Sequence, residues 1–71
     1  MYKTTNDWNN ELSYINSIDP IRPGAAFNDD RECFGQYCDM QAHAAIQHGY
    51  RDISEKMLDR RDIALYHIYN K

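Results

Sequence analysis

Little in this sequence bends, staples or anchors a chain. Two prolines and three glycines in 71 residues leave long stretches uninterrupted, and both prolines fall in one short segment, residues 19–27. Cysteine is scarce as well. Cys33 and Cys38 stand five apart in a predicted helix, where about 100° per residue separates them by roughly 140° around the axis. They are not expected to pair within the chain, and are read as reduced thiols filling a core as small hydrophobes. Positive charge is in deficit: eight Lys+Arg against eleven Asp+Glu give a net charge of −3. That balance lacks the basic footprint that neutralises a phosphate backbone, so nucleic acid is a disfavoured partner. No apolar run approaches 18 residues, and Met1-Tyr2-Lys3-Thr4-Thr5-Asn6-Asp7 lacks the apolar stretch and small-residue cleavage site of a secretory signal. The expectation is a cytoplasmic protein with no membrane partner. No phosphate loop, dinucleotide fingerprint or His-Glu-x-x-His motif is present.

What remains is a globular composition, 42% hydrophobic and 27% charged, arranged with helical periodicity. A chain this short buries only about 60% of its unfolded surface, so a second subunit, a metal or a disulfide is the usual supplement. The first helix is predicted at about 5–17, with Thr5 or Asn6 as N-cap and Trp8, Leu12 and Ile15 in one apolar stripe. It ends before Pro20. The proline loop, 19–27, carries Ile21 and Phe27 and is expected to pack across the molecule.

Asn28, followed by Asp29, Asp30 and Glu32, reads as the N-cap and acidic first turn of a second helix at about 29–48, closed by Gly49. With Phe34 at zero on the wheel, Glu32, Gln36, Asp39, His43 and Gln47 lie within roughly 40° of the opposite pole. Nearly all the rest is apolar or small, so this helix needs neighbours on at least two sides. Asp52 and Glu55 then open a third helix at about 52–70. Ile53, Met57, Leu58, Ala64, Leu65, Ile68 and Tyr69 share its apolar arc, and Arg61 falls near the middle of it. The expected fold is therefore all-α: a three-helix domain with helices two and three as an antiparallel hairpin, helix one packed across it, and a dimeric state.

Cys33, Cys38, His43 and His48 are a possible Cys2His2 metal set. Steps of five residues in one helix spiral them to about 0°, 140°, 280° and 60°, so no single ion collects them and no metal is expected. Cys33 is surrounded by Asp29, Asp30 and Glu32, which raise a thiol pKa, and no oxyanion hole is visible; no cofactor and no enzymatic activity are expected.

The candidate interface residues are Arg61, Ile63, Tyr66, His67 and Tyr69 on helix three, with Tyr37 and Met40 on the over-wide apolar face of helix two. Six tyrosines is a high count, and tyrosine and arginine are enriched at interfaces. Arg61 also has a plain alternative, its stem covering the core edge while the guanidinium meets an acid such as Asp39. The leading expectation is a small homodimeric interaction module, accessory or regulatory, that binds a protein partner; in size and composition it resembles small accessory proteins of bacteria and their phages, without a shared motif. The alternatives are a helix-turn-helix-like nucleic-acid regulator, weakened by Glu55, Asp59 and Asp62 on the would-be reading face, and a metal domain using Cys33, Cys38 and a histidine.

Overall fold

The computed structural model describes residues 3–66, which form three α-helices: α1 (Thr5–Asn16), α2 (Arg31–Gln47) and α3 (Arg51–Tyr66), with a 3₁₀ turn at Ala25–Phe27. No strand occurs among the described residues.

The cap of α1 sits one residue before the expected Thr5. Thr4 Oγ1 accepts from the Asp7 N–H (3.2 Å), while the Asp7 carboxylate accepts from the Thr4 N–H (2.9 Å). This reciprocal pair needs its acid three residues after the cap, and Asp7 therefore selects Thr4. The Thr4 N–H donated to the carboxylate, and after it the neighbouring Thr4 hydroxyl, favour the ionised form and hold Asp7 below the usual aspartate range. The stripe Trp8, Leu12 and Ile15 is buried as its spacing requires.

The proline loop is packed down: Pro20, Pro23 and Phe27 are buried. The Phe27 ring meets Phe34 and Tyr37 edge-on, with centroids 5.1 and 5.3 Å apart, a favoured aromatic geometry. Arg60 Nη2 fastens α3 to the start of this segment by donating to the Ile18 carbonyl at 2.7 Å.

The expected cap at Asn28 is displaced. Asn28 (φ 54°) and Asp29 (φ 52°) both adopt the left-handed conformation, which asparagine and aspartate tolerate better than other residues bearing a Cβ. The Asn28 N–H goes to Ala25 to close the 3₁₀ turn, and the Asp29 N–H goes to the Gly24 carbonyl. Asp30 becomes the cap, accepting from the Glu32 N–H at 2.9 Å, so α2 starts at Arg31 rather than near residue 29.

The end of α2 follows expectation. Gly49 has φ 88°; its N–H donates to the Ile46 carbonyl, and the Tyr50 N–H reaches back to Ala45 at 2.9 Å. The turn runs directly into α3, whose first bond joins the Ser54 N–H to the Tyr50 carbonyl, which is why α3 opens at Arg51, one residue early.

Helices α2 and α3 pack closely. Ala42 meets Ser54, whose buried hydroxyl donates to its carbonyl at 2.8 Å; Asp39 meets Arg61; Gly35 meets Leu65. A Cβ placed on Gly35 would stand 2.5 Å from Leu65 Cδ2 and 2.6 Å from Cγ, so the absence of a side chain there is what lets the helices approach. The core comprises Trp8, Leu12 and Ile15 of α1, Phe27, then Phe34, Cys38, Ala42 and Ala45 of α2, and Ile53, Met57 and Ala64 of α3. No described helix is long and apolar enough to cross a membrane.

Candidate interaction surfaces

Arg61 faces α2, because on a 100° wheel it stands beside Ser54 and Leu65. Its Nη1 donates to Asp39 Oδ1 at 2.6 Å, while Nη2 (2.8 Å) and Nε (3.1 Å) both donate to Asp62 Oδ1. The guanidinium is thus clamped between two carboxylates, first by Asp39 and then by Asp62, and its pKa rises further above the arginine value. Asp39 also meets His43, whose Nδ1 lies 2.8 Å from the Asp39 carbonyl oxygen and 3.5 Å from Oδ2.

The other interface candidates do not gather around Arg61. Ile63 (44% exposed) and Tyr66 (50%) stand one turn apart on α3, turned away from α2 and bordered by Asp59 and Asp62. Among the described residues Met40 is the most exposed large apolar side chain at 67%, on the part of α2 that turns away from α3. Tyr37 is half-buried: its ring meets Phe27 and Tyr14, and its hydroxyl donates to the Glu11 carboxylate, which also pairs with Lys3 at 3.5 Å. Burial and the Glu11 charge push the Tyr37 hydroxyl well above its usual pKa. Tyr37 therefore ties α1 to α2. His67 and Tyr69 lie outside the described residues.

One feature escapes the sequence. Between α2 and α3 a groove of about 220 Å³ is lined by Ala42, His43, Ile46, Ser54 and Leu58. Ile46, one of the apolar residues of helix two for which the wheel calls for neighbours, lines this groove and is 47% exposed. Periodicity shows that Ile46 is apolar and off the polar pole; whether a third element covers it depends on where α1 packs, which no local pattern encodes. A second, more open depression of about 410 Å³ lies at the start of α3 among Thr5, Asn9, Tyr50, Arg51 and Lys56, with the Thr5 and Tyr50 hydroxyls 3.0 Å apart.

The cysteines and histidines are dispersed. Cys38 is fully buried and desolvation pushes its thiol up to about 12, which leaves it protonated at neutral pH; Cys33 is half-buried. His43 faces solvent beside Asp39, and the His48 ring lies 6.0 Å from Trp8. Among the described residues no three His, Cys, Asp or Glu side chains gather as a ligand set. No protein-family model, curated protein or solved structure matches the chain.

Proposed function

We propose that this chain is a small, non-enzymatic protein–protein interaction module, cytoplasmic and homodimeric, with α2 and α3 as an antiparallel hairpin and α1 packed across it. The carrying observation is the apolar surface left uncovered on that pair: Met40 and Ile46 on α2, Ile63 and Tyr66 on α3, all 44% or more exposed. Single exposed apolar residues are ordinary on a monomer; two such pairs on a core this small are what a second protein surface covers. The hairpin is supported by the contact order Ala42–Ser54, Asp39–Arg61 and Gly35–Leu65, in which later residues of one helix meet earlier residues of the other. Asp52, Glu55, Asp59 and Asp62 on α3 weigh against a nucleic-acid reader. Light scattering across a concentration series tests the reading: a mass rising toward twice 8.4 kDa supports it, and 8.4 kDa throughout overturns the homodimer.

A further inference from the structure

We draw no further inference here: the strongest candidate, the open depression of about 410 Å³ at the start of α3 beside Arg51 and Lys56, rests on a helix N-terminus and exposed side chains, and nothing in the structure points to a ligand there.

Discussion

Leu65 lies directly over Gly35, its Cγ only 2.6 Å from the point a Cβ would occupy. Glycine inside a helix costs about 1 kcal/mol relative to alanine, so its presence in the middle of the α2–α3 contact has to be offset by packing. Gly35→Ala gains that propensity and loses more through overpacking, for a net destabilisation of about 1–2 kcal/mol. With Leu65→Ala in the background the clash disappears, and Gly35→Ala becomes stabilising by about 0.5–1 kcal/mol. Urea unfolding of the four forms checks the change of sign.

Arg61 spends its donors within the chain. Arg61→Ala is expected to lower stability by about 1 kcal/mol, and Asp39→Asn by a similar amount with a coupling of about 0.5 kcal/mol between them, because the pair is partly exposed and screened. The coupling shrinks in about 0.5 M salt. Because the guanidinium is already clamped between Asp39 and Asp62 of its own chain, a loss of self-association in Arg61→Ala well beyond this stability change would contradict the role given to it here.

The Thr4–Asp7 box makes the start of α1 acid-sensitive. Asp7 titrates below its ordinary value of 3.8 in the folded chain, so its contribution is present above about pH 4 and is lost as pH falls through the lower folded value. Asp7→Asn is expected to flatten that part of the stability–pH profile and leave the region above pH 5 parallel to the unmodified chain. Thermal melts followed by circular dichroism between pH 2 and 6 read the difference.

Cys38 behaves in the opposite sense. Its thiol ionises near 9.0 when unfolded and near 12 when buried, so the folded chain holds the proton longer, and the stability this supplies is progressively lost between those two values. At neutral pH a thiol reagent is expected to modify Cys33 first and Cys38 only at the rate of unfolding. Equal rates for both in the native protein would contradict the burial.

Much of this was legible from residue spacing, and the misses share a cause. Trp8, Leu12 and Ile15 declare their shared face because a stripe is a local property of one helix, and Gly49 declares the end of α2 because a left-handed turn demands it. Asn28 and Asp29 misled because the residue types that cap helices also tolerate positive φ, and the 3₁₀ turn had already claimed the Asn28 N–H. Nothing in the spacing marks Gly35 as the socket for Leu65, since a sequence displays period and not partner. Arg61 meets Asp39, the acid named for it from the sequence, while Ile46 lies beside a groove that no local pattern announces.

The apolar surface left on α2 and α3 is the centre of this account, and sedimentation equilibrium across a dilution series tests it most directly. An apparent mass rising toward twice 8.4 kDa with concentration is predicted. A mass of 8.4 kDa at every concentration would contradict it.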